Sequence, residues 1–151
     1  WETDTVTLIE TNLDDCRPEV LGHLVDLVLE RGALDVFHTP IQMKKNRPGV
    51  LLSVLCQPQD VDTFRAMMLC ETTAFGVRSM HMDRCKLKRS IETIETDFGA
   101  IQIKKGFWQG RTLHFAPEYE SCRAAARKFN VPVRVVYEAA ERAFPKANDE
   151  A

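Results

Sequence analysis

The sequence predicts an α+β fold in two lobes, residues 1–84 and 85–151. Two patterns lead to this prediction. Segments with strand-like alternation and segments with helical spacing follow one another as strand, helix, strand, strand, helix, strand. Beyond them, a glycine-containing turn joins two more strand-like segments, and two helical segments close the chain. We therefore expect a ferredoxin-like split βαβ lobe (βαββαβ), followed by a smaller α+β lobe with a β-hairpin and two carboxy-terminal helices.

The segments of the first lobe are recognised from their spacing and their ends. Residues 5–10 alternate and are rich in β-branched side chains, so they predict a strand. A polar turn is expected at 11–15, and a helix then begins at Pro18 and ends at Gly32. The same criteria predict four more elements: strand 34–42, strand 50–56, helix 59–70 and strand 77–82.

The second lobe begins with a hairpin. Residues 91–96 and 100–104 alternate on either side of Asp97-Phe98-Gly99, which is a suitable turn sequence. Residues 111–115 predict a third strand. Two helices, 118–129 and 132–144, complete the lobe, and the chain after Pro145 is expected to fray.

Positive charge is concentrated in three segments. Residues 43–49, 78–89 and 104–111 hold 11 of the 20 Lys and Arg residues but only one acid, Asp83. The net charge of −2 conceals this segregation. Clustered cations of this kind favour a polyanion site, for which a phosphate chain is a suitable ligand, over general affinity for nucleic acid.

The first basic segment, Met43-Lys44-Lys45-Asn46-Arg47-Pro48-Gly49, allows two interpretations. Its ammonium and guanidinium groups can bind phosphates while the Pro-Gly turn lets backbone amides approach. It can equally be a solvated hairpin tip whose lysines aid solubility. It is not a phosphate-binding P-loop, because neither the GxxxxGK[ST] nor the GxGxxG spacing occurs in the sequence.

Two polar segments offer further candidate site residues. Asp14 and Asp15 follow the first predicted strand, where adjacent carboxylates could bind Mg²⁺ or Mn²⁺. Asp15 is also well placed to cap the helix at Pro18, so Asp14 is the better ligand candidate. Thr72 and Thr73 could offer hydroxyls and amides to an anion, or could simply end a helix.

Other residue classes argue against several functions. The five cysteines and four histidines are scattered without paired spacing, which disfavours a disulfide framework or a zinc site and fits a reducing, cytoplasmic setting. Cys70 and Cys122 are predicted to be core residues. No apolar run is long enough to cross a bilayer. No nucleophile with a companion base can be recognised, so the catalytic residues are unknown from the sequence.

Taken together, these segments resemble the carboxy-terminal part of the LarC-type nickel insertion proteins, over about 140 residues. The start at Trp1 agrees with an excerpt from a longer protein, whose amino-terminal part would be absent. The residues that carry the resemblance are Glu10-Thr11-Asn12-Leu13-Asp14-Asp15 with Pro18-Glu19, Gly32-Ala33-Leu34-Asp35-Val36, the segment Met43 to Gly49, Glu71-Thr72-Thr73, Gly76-Val77-Arg78, Arg84, Leu87, Arg89, Gly99, Lys104, and Pro117-Glu118-Tyr119 with Cys122.

The resemblance implies a CTP-dependent nickel chelatase. In that family Ni²⁺ is inserted into a pyridinium bis-thiocarboxylate mononucleotide, forming a carbon–nickel bond and completing the nickel-pincer cofactor of lactate racemase. The carboxy-terminal domain is expected to bind CTP with Mn²⁺ or Mg²⁺ and to form a homo-oligomer, with a hexamer as one form. No soft-ligand cluster for nickel is present, so the nickel site is expected in the absent part.

Site residues follow from the resemblance by position. It implies triphosphate contacts at Lys44, Lys45 and Arg47, with Arg78, Arg84 and Lys104 as further candidates, and a metal ligand at Asp14. Two roles for CTP stay open, which are driving a conformational step and activating the substrate covalently. A rival hypothesis is a non-catalytic ferredoxin-like regulatory or assembly module that binds a nucleotide or another anion. An RNA-binding module is disfavoured because the strands lack interleaved surface aromatics.

Overall fold

The computed structural model describes residues 1–144, in which two antiparallel sheets and four α-helices form an α+β fold. This confirms the predicted α+β class. The chain divides into two compact units. The first unit is Thr3–Arg84, and the second is Trp1–Glu2 with the chain from Cys85 onward. The fraying expected after Pro145 lies outside the described residues.

Six segments build the four-stranded sheet and its helices, and all six are of the type that the sequence predicts. The strands lie in the order β2-β3-β1-β4. One-turn 3₁₀ helices at Lys44–Asn46 and Pro58–Asp60 separate some of the elements. The elements are β1 (Glu2–Leu13), α1 (Pro18–Glu30), β2 (Asp35–Met43), β3 (Arg47–Cys56), α2 (Val61–Glu71) and β4 (Arg78–Lys86).

The core of the first unit lies between one face of this sheet and the two helices. In the register of β1 and β3, Ile9 faces Val54 and Thr11 faces Leu52. Residues directly opposite each other point to the same face, so these side chains form one layer. The helices cover that layer with a single apolar face each, since their buried residues recur at helical spacing. The helical residues in this core are Leu21, Leu24, Val28, Val61, Phe64 and Met68.

The first strand is longer than predicted. The sequence indicates a turn from residue 11, but β1 continues to Leu13. Thr11 is buried, and its hydroxyl donates a hydrogen bond to the Gly76 carbonyl at 2.9 Å. The next two residues pair with Leu51 and Val50 of β3. The hydrogen bond from Thr11 to Gly76 and the pairing of residues 12 and 13 with β3 therefore continue the strand past the predicted turn.

The second unit forms a three-stranded sheet in the order β5-β6-β7. Gly99 begins β6 with a φ of 84°, a left-handed conformation that the hairpin turn needs. Ile94, Ile101 and Ile103 pack against the helices around Cys122. The rings of Trp1 and Trp108 stack with their centroids 4.2 Å apart. The elements are β5 (Lys88–Thr96), β6 (Gly99–Trp108), β7 (Arg111–Pro117), α3 (Tyr119–Phe129) and α4 (Val133–Ala143).

The two cysteines assigned to the core behave differently. Cys122 is fully buried as predicted, and burial raises the pKa of its thiol. The prediction for Cys70 was wrong, because this thiol is exposed. The buried face of α2 is formed by Phe64 and Met68, and Cys70, two residues later, points away from it. Among the residues that the structure describes, no helix is both long and apolar enough to cross a membrane.

Candidate functional site

Three chain segments meet at one end of the first sheet. These are the end of β1, the turn between β2 and β3, and the connection from α2 to β4. The register brings the first two together, because Leu13 pairs with Val50 while Met43 pairs with Arg47 across the turn. The third is held by the hydrogen bond from Thr11 to Gly76. The polar residues of all three segments are therefore close neighbours.

The turn between β2 and β3 has an unusual backbone. Lys45 and Asn46 have φ values of 58° and 59°, in the left-handed region that side chains other than glycine seldom occupy. The Gln42 amide donates to the Asn46 side-chain oxygen at 3.3 Å. Lys44 and Lys45 are exposed, and within residues 1–144 neither has an ion-pair partner. The turn thus presents two uncompensated ammonium groups.

Gly49 fixes this turn against the end of β1. A Cβ at this position would lie 2.7 Å from the Leu13 carbonyl oxygen and 2.6 Å from Met43 Sδ. Both distances are shorter than real Cβ contacts allow, and the carbonyl belongs to the rigid backbone. The glycine of the Pro-Gly pair therefore permits a close approach of two strands and brings the basic turn next to Asp14.

Two arginines form half-exposed ion pairs at this end of the sheet. Arg47 Nη1 donates to Asp14 Oδ2 at 3.0 Å, and its side chain stays 58% exposed. Arg78 bridges two residues of β1, donating from Nε to Glu10 at 3.1 Å and from Nη1 to the Asn12 side-chain oxygen at 2.8 Å. Each guanidinium has five N–H donors, so several remain available to a ligand.

An open cleft of about 460 Å³ lies between the end of β1 and the α2–β4 connection. Two threonine hydroxyls fix the α2–β4 connection through hydrogen bonds. The Thr72 hydroxyl accepts from the Ala74 amide, and the Thr73 hydroxyl donates to Asp15. Phe75 projects from it with its ring fully exposed. The cleft is lined by Glu10–Asp15 and Thr73–Arg78.

Residues 1–137 match the family model described as nickel insertion protein. The chain belongs to the nickel insertion protein family. The predicted resemblance to LarC-type members is confirmed.

Curated relatives of this chain include proteins named pyridinium-3,5-bisthiocarboxylic acid mononucleotide nickel insertion protein. The protein from Acetivibrio thermocellus is 40% identical over 151 residues, which cover 98% of this chain and 37% of the relative. The protein from Thermotoga petrophila is 39% identical over 135 residues, covering 89% of this chain and 34% of the relative. The chain thus spans about a third of the length of the curated relatives that it matches.

A solved structure agrees with this assignment. It is described as LarC2, the C-terminal domain of a cyclometallase involved in the synthesis of the NPN cofactor of lactate racemase, in its apo form. It has a TM-score of 0.88 and 42% identity, and the match covers 94% of this chain and 98% of that domain. The chain therefore corresponds to a carboxy-terminal domain of the nickel insertion family.

The family member's predicted site residues fall into two groups. Lys44, Lys45, Arg47, Arg78 and Asp14 all lie at the end of the first sheet described above. Arg84 and Lys104 do not.

Arg84 lies at the opposite end of β4, where its guanidinium forms two hydrogen bonds with Asp4 at 2.9 and 2.7 Å. These bonds raise the pKa of Arg84. Six residues of extended strand separate Arg84 from Arg78, a distance of about 20 Å. Lys104 belongs to the second unit, and its ammonium is 2.7 Å from Glu118.

A divalent metal ion fits this cleft only together with a ligand that supplies further oxygens. Asp14, Asp15 and Glu10 are hard oxygen donors, the type that Mg²⁺ and Mn²⁺ prefer. Asp14 is already neutralised by Arg47. In the described part of the chain no three His, Cys, Asp or Glu side chains are grouped so that they could hold a metal. One or two carboxylates with phosphate oxygens is the usual arrangement for Mg²⁺.

Two residues of the cleft, Glu10 and Phe75, were not assigned a site role from the sequence. Glu10 anchors Arg78 and also accepts a hydrogen bond from the buried Ser53 hydroxyl at 3.2 Å. Glu10 is the last residue of the predicted strand 5–10, and a carboxylate at the end of a strand was the sequence feature that could have indicated a site residue. Phe75 is an apolar residue between Ala74 and Gly76 in a loop, and that placement could have marked it as an exposed aromatic.

Proposed function

We propose that this chain is the nucleotide-binding domain of a nickel insertion enzyme and that it binds CTP with a divalent metal ion at the end of the first sheet. The observation that carries the proposal is the β2–β3 turn, whose two lysines have no ion-pair partner among residues 1–144 and lie beside an acid-lined cleft of about 460 Å³. Clustered cations without a counter-ion attract an anionic ligand, which supplies the compensating negative charge. A triphosphate has the required charge and several acceptor oxygens.

The spacing of the cations supports a ligand of this length. Arg47 begins β3 and Arg78 begins β4, and β1 lies between these strands. Their guanidiniums contact Asp14 and Asn12, which are two residues apart at the end of β1 and so about 7 Å from each other. A triphosphate can therefore contact the turn at Lys44, Lys45 and Arg47 while the nucleoside reaches the cleft near Arg78. Arg84 and Lys104, the two further candidates, do not belong to this end of the sheet and are each paired with a carboxylate, so we propose no contact between them and the triphosphate.

The metal ion would enter with the nucleotide. Asp14 would supply a carboxylate oxygen, and the phosphates would supply the others, so that the metal adds positive charge between two groups of anions. Arg47 is well placed to hold Asp14 in position, since it donates to Oδ2 and leaves Oδ1 without a hydrogen bond from another described residue.

We further propose that the longer protein inserts nickel into pyridinium-3,5-bisthiocarboxylic acid mononucleotide, the molecule in the names of its relatives. Nickel is then a substrate. A carbon–nickel bond replaces an aryl C–H bond, so a base must accept the proton. This domain would bind the nucleotide that the reaction uses. We also propose that it assembles into a homo-oligomer.

We also infer a ferredoxin-like lobe at 1–84 and a separate α+β lobe at 85–151. The strand order β2-β3-β1-β4 supports the first assignment. So do the contacts along β1 and β4, where Asp4 meets Arg84, Thr7 meets His81 and Glu10 meets Arg78 in antiparallel sequence.

Calorimetric titration tests the nucleotide site. CTP, ATP and GTP are titrated into the whole chain with and without Mn²⁺, then into Lys44→Ala and Arg47→Ala. Lys128→Ala, an exposed lysine on α3, is the matched control. We expect metal-dependent binding of CTP that is weakened in the two site variants and unchanged in the control. Absence of binding by any nucleotide would contradict the proposal, and metal-independent binding of all three would favour the regulatory module.

A further inference from the structure

We propose that the second unit holds a separate binding site for a flat aromatic carboxylate, built around Arg89 and Lys104. The site lies on the face of the β5-β6-β7 sheet that points away from α3 and α4. The ligand class is argued from this face alone. Its correspondence to the bisthiocarboxylic acid substrate rests on the proposed function.

The register of the sheet brings the two cations together. Arg89 of β5 is opposite Gly106 of β6, and Ile91 is opposite Lys104. Opposed residues share a face, as do residues two apart on one strand. Arg89 and Lys104 are therefore diagonal neighbours about 7–8 Å apart, within reach of one ligand.

The same register separates this face from the core. Ile94 pairs with Ile101, and these side chains contact the helices. Ile91 lies three residues from Ile94 and is 61% exposed, on the opposite face. An exposed isoleucine between two cations gives this face an apolar surface next to positive charge.

Small residues make a hollow in the face. Gly106 is opposite His114, and Lys104 is opposite Ala116. The Leu87 side chain lies over Gly106, where a Cβ would come within 2.9 Å of Leu87 Cδ1. The resulting hollow of about 210 Å³ is walled mainly by apolar atoms, and no carboxylate lines it.

A second cleft of about 450 Å³ shares Arg89 and Lys104 with this hollow. Its other lining residues are Glu2, Ser90 and Ile91. The larger space is within the range of small-molecule sites, which is about 300–1,000 Å³. The two cations therefore lie where an apolar hollow joins a more polar cleft.

The charges at this junction favour an anion. Arg89 has no ion-pair partner among residues 1–144. Lys104 is 45% exposed and is held by Glu118, which leaves other ammonium protons available. Glu2 is the acid that lines the larger cleft. A guanidinium binds a carboxylate through two parallel hydrogen bonds, so Arg89 would set the orientation of the ligand.

An apolar hollow below two cations fits a ring that carries anionic groups. A triphosphate would leave the hollow unfilled, and an uncharged ring would leave Arg89 unpaired. An aromatic dicarboxylate or dithiocarboxylate would fill the hollow with its ring and pair its anionic groups with the two cations. The pyridinium ring with two thiocarboxylic acid groups in the relatives' names belongs to this class.

Pyridine-3,5-dicarboxylate serves as the probe, titrated into the ¹⁵N-labelled whole chain with calorimetry in parallel. We expect amide shifts in the strands around Arg89, Lys104 and Ala116, and at least tenfold weaker binding by Arg89→Gln. Lys88→Gln is the matched control, because Lys88 is the adjacent exposed cation on the opposite face. Ala116→Leu should also weaken binding by filling the hollow, without removing charge.

Equal binding by wild-type protein and Arg89→Gln would overturn the proposal. So would equally tight binding of inorganic phosphate, since that requires no aromatic ring. CTP with Mn²⁺ is titrated into the same variants. Unchanged CTP binding by Arg89→Gln supports two separate sites, whereas loss of both ligands would overturn their separation. If the dicarboxylate binds to wild-type protein but CTP does not, the result contradicts the proposed nucleotide binding and supports the aromatic-carboxylate site.

Discussion

The two ends of the first sheet pair arginine with aspartate in different ways. At one end Arg84 and Asp4 form two hydrogen bonds, and each side chain is only 28% exposed. At the other end Arg47 makes one hydrogen bond to Asp14 and is 58% exposed, next to two lysines with no partner in the described residues. Residue type is thus a poor guide to role. A closed bidentate pair stabilises the fold, whereas an open pair beside spare cations can still bind a ligand.

The largest effect that tests this comparison is expected from the turn. Replacing Lys44 and Lys45 together with alanine should weaken CTP binding by about 10- to 100-fold, since charged hydrogen bonds contribute about 1.5–3 kcal/mol. Because both side chains are exposed and neither has an ion-pair partner in the part of the chain that the structure describes, thermal stability should not fall. Calorimetry with a parallel melting curve measures both. Unchanged CTP affinity would contradict the assignment of this end of the sheet to ligand binding.

Gly49→Ala should destabilise the first unit by about 2–3 kcal/mol, because the new methyl group meets the Leu13 carbonyl and Met43. Urea unfolding measures the change. Gly22→Ala in α1 is the matched control, since a Cβ there has no neighbour within 4 Å. That variant should gain about 0.5–1 kcal/mol through helix propensity. A stable Gly49→Ala protein would mean that the turn is not held against β1 by close approach.

Arg84→Ala should lower stability by about 1 kcal/mol and leave CTP affinity unchanged. The expected loss is modest because ion pairs that water reaches contribute little. The measurement uses the same urea and calorimetric methods. A fall in CTP affinity in this variant would show that the two ends of the sheet are not functionally distinct.

The smallest effect is expected for Asn46→Gly. Its φ of 59° suits glycine at least as well as asparagine, although the contact with Gln42 is lost. Stability should change by less than about 0.5 kcal/mol, and CTP affinity should stay the same. A large loss of affinity would indicate that the Asn46 side chain itself contacts the ligand.

The parts of this fold that could be predicted are those encoded by local spacing. Helix α1 begins at Pro18 as its apolar spacing indicates, and the hairpin before Gly99 follows from its turn residues. The continuation of β1 to Leu13 could not be predicted, because it depends on partners in β3 and at Gly76, far away in the sequence.

The site shows the same limit. The basic turn and Asp14 were recognised as separate segments, but their contact through Arg47 depends on the β1–β3 register. The register of β4 on β1 brings Arg78 to the cleft and Arg84 to the opposite end. Both arginines look alike in the sequence. Their separation becomes visible only when the strands are aligned.

The stacked Trp1 and Trp108 make the two units spectroscopically distinct. They are the two tryptophans of the sequence, and both belong to the second unit. Tryptophan emission excited at long wavelength will therefore report the second unit, while the first unit is silent. An unfolding curve followed by this fluorescence alone would describe one unit, and circular dichroism would be needed to observe the other. A difference between the two curves would measure how independently the units unfold.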